Sequence, residues 1–216
     1  MKKAILLFLV IILSFSLISC EKDREYDEAV VKAAAEELIA KSENLNRIYW
    51  GRGIEYMEDL NYKNGSYYRA NSYDTDRLGF DTISELKVIT RAVFSKSYCE
   101  NIFSTTLTSI FDDSGIQTYA RYVQQYEDLE QKIPQYILVN SNALVLLDSD
   151  VEYLYDTLKV IGSKKQTVYV TISAEVSKNG KSQIRELKIG LVEEENGWRL
   201  DTPTYVNYYD ETEEID

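Results

Sequence analysis

The sequence predicts an α+β fold in which N-terminal helices pack on a curved, mostly antiparallel C-terminal sheet. Three observations predict it. Apolar residues between Tyr26 and Arg47 recur every three or four positions, the period of one helix face. After Pro134 the period changes to two, most clearly from Thr167 to Ser177. The alternating runs are separated by tight Asn-Gly turns, which join antiparallel neighbours and leave no room for a crossover.

The chain opens with Lys2 and Lys3, an apolar run from Ala4 to Ile18, and the word Leu17-Ile18-Ser19-Cys20. That order is the layout of an export signal, and the run is shorter than the roughly 20 apolar residues a spanning helix needs. It resembles the lipobox of bacterial lipoprotein precursors, which implies cleavage before Cys20 and a diacylglyceryl anchor on that cysteine. Two acyl chains hold a protein on a bilayer where one does so only marginally. Residues 1–19 are therefore read as a lipoprotein signal peptide and 20–26 as lipidated cysteine and tether. The segment Glu21–Glu25 reaches only roughly 17 Å when extended, so the folded part is expected close to the extracytoplasmic face of the cell membrane. Residues 27–209 are read as a single α+β domain, and 210–216 as an acidic tail with too little to bury to be ordered.

Within the domain, Val31, Ala35, Leu38, Ser42, Leu45 and Tyr49 line one face of the first helix, which Gly51 and Gly53 stop. From Ile54 to Phe80 the period is lost. Asn64-Gly65 between aromatic residues marks a hairpin, and Tyr73 to Asp76 favours a loop. Thr82 and Glu85 have capping-box spacing and open a second helix, Ile83 to Phe94. Ser97 is positioned to cap a third, with Cys99, Ile102, Thr106 and Ile110 on one face. Tyr119 to Lys132 reads as a weak helix or irregular chain ended by Pro134.

Strands are expected at Tyr136–Val139, Ala143–Leu146 and Thr157–Ile161, and then at Thr167–Ser177, where Val168, Val170, Ile172, Ala174 and Val176 alternate with polar neighbours. Leu187, Ile189 and Leu191 alternate next, with Ile184 out of phase, which predicts a bulge near Arg185-Glu186. Trp198, Leu200 and Thr202 alternate before Pro203.

Composition excludes several kinds of chemistry. There is no histidine, which removes the usual Ser-His-Asp and Cys-His nucleophiles and the commonest zinc ligand. No phosphate-binding glycine loop occurs, and Gly51-Arg52-Gly53 lacks the third glycine of a dinucleotide turn. Asp112-Asp113 and Glu193-Glu194-Glu195 adjoin turns and read as solvated charges. Asp148-Ser149-Asp150-Val151-Glu152 weakly resembles a calcium loop but lacks its glycine and closing glutamate. No catalytic residue, metal site or cofactor is expected.

Net charge is −12, and removing Lys2 and Lys3 from the 24 basic residues leaves 22 against 36 acidic, a balance of −14. Nucleic acid is repelled by such a surface. With one cysteine lipidated, Cys99 has no partner for a disulfide and reads as a small buried hydrophobe. Among 18 tyrosines, those of the loop-rich stretch are the candidates for contact. Tyr62, Tyr67, Tyr68, Tyr73, Asp74 and Asp76 form the candidate interaction loop.

The helix ending Tyr49-Trp50-Gly51-Arg52-Gly53, Ser84-Glu85-Leu86, Val93-Phe94-Ser95 and Glu195-Asn196-Gly197-Trp198-Arg199-Leu200-Asp201-Thr202-Pro203 follow the lipobox in order. In this order the chain resembles the IseA family of peptidoglycan DL-endopeptidase inhibitors of Gram-positive bacteria, over about Val30 to Tyr205. It is similar, less specifically, to cystatin-like or NTF2-like helix-on-sheet domains. The IseA resemblance implies a surface protein without catalysis of its own that occupies the cleft of a cell-wall hydrolase. The competing expectations are a lipoprotein that captures a ligand in a pocket between helix and sheet, and an assembly protein with only protein contacts. An inhibitor is expected to expose a protruding loop, and a binding module a sizeable cavity.

Overall fold

The computed structural model describes residues 25–58, 66–108, 110–111, 117–118 and 120–207. Cys20, Tyr62, the Asn64-Gly65 turn, Asp112-Asp113 and the 210–216 tail lie outside them, as do the signal and tether up to residue 24.

Helix α1 (Glu28–Tyr49) is capped by Asp27, whose carboxylate accepts from Ala29 N and Val30 N. It buries Val31, Ala35, Leu38, Ser42, Leu45 and Tyr49, together with Ile39, Asn46 and Ile48. Strand β1 (Tyr67–Arg69) follows, then a short helix α2 (Ser72–Leu78). The loop expected at Tyr73 to Asp76 is therefore helical. Asn71 caps this helix at Tyr73 N, and Gly79 ends it in the left-handed conformation that glycine adopts without strain.

Helix α3 (Ile83–Val93) starts on the expected Thr82–Glu85 capping box. Helix α4 (Lys96–Thr106) starts one turn boundary earlier than expected, on Ser95 instead of Ser97. Ser95 Oγ accepts from Tyr98 N while its hydroxyl meets Asp201, and Ser95 N donates to Leu200 O at 2.8 Å. The cap is thus fixed by tertiary bonds that local spacing does not contain.

Strands β2 (Ile110–Phe111) and β3 (Gln117–Thr118) pair antiparallel. Strands β4 (Tyr122–Asp128) and β5 (Ile133–Asn140) form a hairpin, and β1 joins its β5 side, giving the order β1-β5-β4. The segment expected as a weak helix is strand β4. Ala143–Leu146, expected as a strand, joins no ladder. It is held by Leu146 N and Leu147 N donating to Trp50 O, both at 2.8 Å.

Strands β6 (Asp150–Lys164), β7 (Thr167–Lys178), β8 (Lys181–Glu194) and β9 (Gly197–Leu200) make an antiparallel meander in sequence order. The inward residues Val168, Val170, Ile172, Ala174 and Val176 are fully buried. No bulge interrupts β7 and β8, which stay in register from Thr167↔Val192 to Lys178↔Lys181. Ile184 opposes Glu175 on the outer face and is 60% exposed, so the broken alternation records an apolar residue pointing outward. The irregularities fall in β6 instead, between Leu154 and Lys159 and between Val160 and Gly162. There Thr157 Oγ1 donates to Leu154 O and accepts from Ser173 N. A bulged strand bends, and an edge so interrupted is a poor template for pairing with another chain.

Helix α1 lies across β6, β7 and β9, and its apolar face closes with the sheet into a continuous core that reaches Leu86, Cys99, Tyr122 and Ile137. This is the α+β arrangement of helices on an antiparallel sheet that periodicity predicts.

Candidate binding cleft

Asn46 and Ser42 are polar residues inside the buried stripe of α1, and both meet Thr204. Ser42 Oγ donates to Ile39 O at 2.7 Å, so the Thr204 hydroxyl donates to Ser42 (2.7 Å) and accepts from Asn46 Nδ2 (2.9 Å). Tyr153 on β6 donates its hydroxyl to Thr204 O. The chain after β9 is thereby clamped between α1 and β6, and Tyr205 comes to rest beside Trp50 with ring centroids 5.8 Å apart.

The opposite rim is built by a buried arginine. Arg121, 7% exposed, donates from Nε to Tyr122 Oη (3.1 Å), from Nη1 to Leu144 O (3.0 Å) and from Nη2 to Gly51 O. Tyr122 in turn donates to Ile48 O at 2.6 Å and accepts from Ile54 N at 3.1 Å. The guanidinium sits where α1 presents its unpaired carbonyls and the negative end of its dipole, which stabilises a cation without a carboxylate partner. Gly53, at φ +82°, passes so close that a Cβ would lie 2.6 Å from Tyr122 Oη and 2.7 Å from Arg121 Nη2.

Between the clamp and this latch lies a cleft of about 510 Å³, lined by the end of α1 from Glu43 to Arg47, by Gly51 and Arg52, by Leu147 to Val151, and by Tyr153 and Tyr205. Charges of both signs face it. Arg47 leans on Asp74 of α2, with Nη2 3.6 Å from Oδ1, while its buried Nε and Nη2 find no hydrogen-bond acceptor. Asp148 pairs with Lys178. Tyr155 Oη reaches Glu43 at 3.4 Å, and burial first, then the Glu43 charge, pushes this phenol up to about 12.

The described candidate loop residues fall on β1 and α2 rather than in one loop. Tyr67 on β1 donates to Ala120 O at 2.6 Å, and Tyr68 stacks on Tyr56 with centroids 5.1 Å apart. Tyr73 is 76% exposed and Asp76 is exposed on the same short helix. Asp74 is buried. Burial opposes its ionisation, but the Glu55 N–H at 3.0 Å and the guanidiniums of Arg77 and Arg47 hold its carboxyl below the usual range. Asp74 is thus a strut that ties α2 to α1.

Cys99 is 1% exposed, and burial pushes its thiol up to about 11, as suits a packed hydrophobe. Glu194 accepts from Lys96 N at 2.8 Å and so covers the start of α4. The Asp148–Glu152 run is the entry to β6, and among the described residues no group of three or more acidic, cysteine or histidine side chains is placed to hold a metal ion. No helix among the described residues is long and apolar enough to cross a membrane.

Sequence reasoning missed Asn44, Arg47, Arg52 and Tyr153 as cleft residues. The signal that could have found them was Gly51-Arg52-Gly53, a turn that displays an arginine at the end of an amphipathic helix. Arg121 was visible as a lone charge between Ala120 and Tyr122.

One further element projects. Residues 129–135, at the tip of the β4–β5 hairpin, are all exposed, with Leu129 at 77% and Ile133 at 43%. Asp128 Oδ1 accepts from Glu130 N (2.8 Å) and Gln131 N (2.9 Å), and Lys132 takes a positive φ, so the tip is shaped before any contact. No protein-family model and no curated protein matches this chain.

Proposed function

We propose that this chain is a non-enzymatic bacterial surface lipoprotein, anchored through Cys20, that works by binding a ligand in the cleft between α1 and β6. The observation that carries the reading is the cleft itself, about 510 Å³ with polar groups converging from three separate segments. That volume falls in the range of small-molecule sites, and the clamp and latch give it walls that exist without ligand. The lack of histidine and the engaged state of Asp74, Asp148 and Glu194 support binding without turnover.

Trp50 touches Tyr205 on the cleft wall, so its fluorescence reports occupancy. Titrating the full-length protein in detergent with candidate metabolites is expected to change Trp50 emission saturably. A panel without any such change removes the cleft as the binding site. Labelling cells with radioactive palmitate tests the anchor: incorporation is expected in the wild type and lost in Cys20→Ala, and equal labelling of both overturns it.

Inhibition of a DL-endopeptidase is the second reading, and the exposed β4–β5 hairpin favours it, since a preformed tip that presents Leu129 and Ile133 suits insertion into another protein's cleft. Stoichiometric protein added to a peptidoglycan digest is expected to slow cleavage, and Leu129→Asp to relieve the inhibition. Undiminished cleavage removes this reading and leaves the cleft untouched.

A further inference from the structure

We infer that the cleft takes a neutral, hydroxyl-rich ligand of the saccharide class, seated on the ring of Tyr205; this rests on the reading of the cleft as the binding site. The charges on its walls argue for neutrality. Asp148 already faces Lys178, and Asp74 is shared between Arg47 and Arg77, which leaves Arg47 and Arg52 set against Glu43 and Asp150 on the walls. An anion gains from the two guanidiniums what it loses to the two carboxylates, and a cation meets the reverse balance. A wholly apolar ligand would strip water from both without replacing their hydrogen bonds, which is costly.

What remains is a set of planar polar groups: the carboxamide of Asn44, the guanidinium of Arg52 and the carboxylate of Asp150, none with a side-chain partner among the described residues. Each can engage two neighbouring groups at once. A sugar hydroxyl both donates and accepts, so a pair of adjacent hydroxyls satisfies an amide, a guanidinium or a carboxylate equally well. The C–H face of a sugar ring needs a flat apolar surface as well. Tyr205 supplies one, braced by Trp50 at 5.8 Å, and the buried ring of Tyr153 continues the wall. Because Tyr153 spends its hydroxyl on Thr204 O, that ring is fixed before a ligand arrives.

Calorimetric titration of the full-length protein in detergent tests the assignment. The probes are neutral oligosaccharides of glucose and of N-acetylglucosamine, a zwitterionic dipeptide and inorganic phosphate. Saturable binding of a saccharide is expected to change less than about twofold between about 0.05 and about 0.5 M salt, since no net charge is exchanged. Tyr205→Ala and Asn44→Ala are each expected to weaken it by about tenfold or more. Arg52→Ala, at an exposed position, serves if a variant fails to fold.

Binding of phosphate or dipeptide alone, falling steeply with salt, overturns the neutral ligand while the cleft reading survives. Saccharide binding indifferent to all three substitutions moves the sugar to another surface and overturns the site. Failure of both oligosaccharides to bind removes the saccharide class, and silence of every probe at Trp50 removes the cleft reading with it.

Discussion

Along β7 the side chains that face α1 are Val168, Val170, Ile172, Ala174 and Val176, none of which needs a polar partner. Between Gly51 and Leu147 the buried groups that fix the chain are Asp74, Arg121 and Tyr122, each enclosed by hydrogen bonds. The first region is specified by what it removes from water, and many sequences with the same alternation would fold to it. The second is specified by pairing, where one lost partner strands several others. The cleft lies on the border, with Tyr153 and Thr204 from one side and Gly51 and Arg52 from the other.

The contrast predicts that a single polar substitution in the paired region matches or exceeds a deep truncation in the sheet. Arg121→Ala is expected to cost about 4 kcal/mol, because Gly51 O, Leu144 O and Tyr122 Oη each lose a charged donor. Urea unfolding measures it, and a loss below that of Ile172→Ala would break the comparison. Ile172→Ala, in the fully buried strand, is expected to cost about 3 kcal/mol, with hydrogen-exchange protection falling throughout β7.

Gly53→Ala is expected to cost about 2 kcal/mol from left-handed backbone strain and contact with Tyr122 and Arg121. Its distinctive sign is faster exchange at Ile54 N, whose acceptor is Tyr122, with β7 unchanged.

Acid separates the regions too. The Asp74 carboxyl is held below its unfolded value of about 3.9, so the stability it supplies is present above that pH and lost as pH falls toward the folded value. Asp74→Asn is expected to lose about 2 kcal/mol at neutral pH and to show a shallower decline in acid. Parallel acid limbs would remove Asp74 from the account. Alkali acts on both regions, since burial raises Tyr49, Tyr122 and Tyr153; stability from these phenols is present below about pH 10 and lost as pH climbs through the folded values.

The smallest effect belongs to Ile184→Thr, expected to stay within about 0.5 kcal/mol because the side chain faces solvent. A bulge that turned Ile184 inward would instead make it costly.

The same contrast explains what could be read in advance. α1 and β7 were legible because their apolar spacing is local and period alone assigns a face, as Val31, Ala35 and Val168 through Val176 show. Strand β4 was not, because Tyr122 to Asp128 alternates weakly and owes its pairing to β5 and its anchoring to Arg121. Ala143–Leu146 has the composition of a strand, yet Trp50 O captures the backbone at its end, a contact nearly a hundred residues away. Ile184 misled because an exposed apolar residue and a bulge leave the same mark in a sequence. The cleft was least legible, since Asn44, Arg52, Asp150 and Tyr205 share no spacing and meet only through the Thr204 clamp.

Helix α1 packs on β9 as well as β6, so a helix made early waits for a strand made about 150 residues later. Its apolar stripe is not fully covered until Leu200 has left the ribosome, and chains truncated before that point are expected to be captured by chaperones rather than to fold. A chain built this way closes its core late, which would suit the export proposed for it.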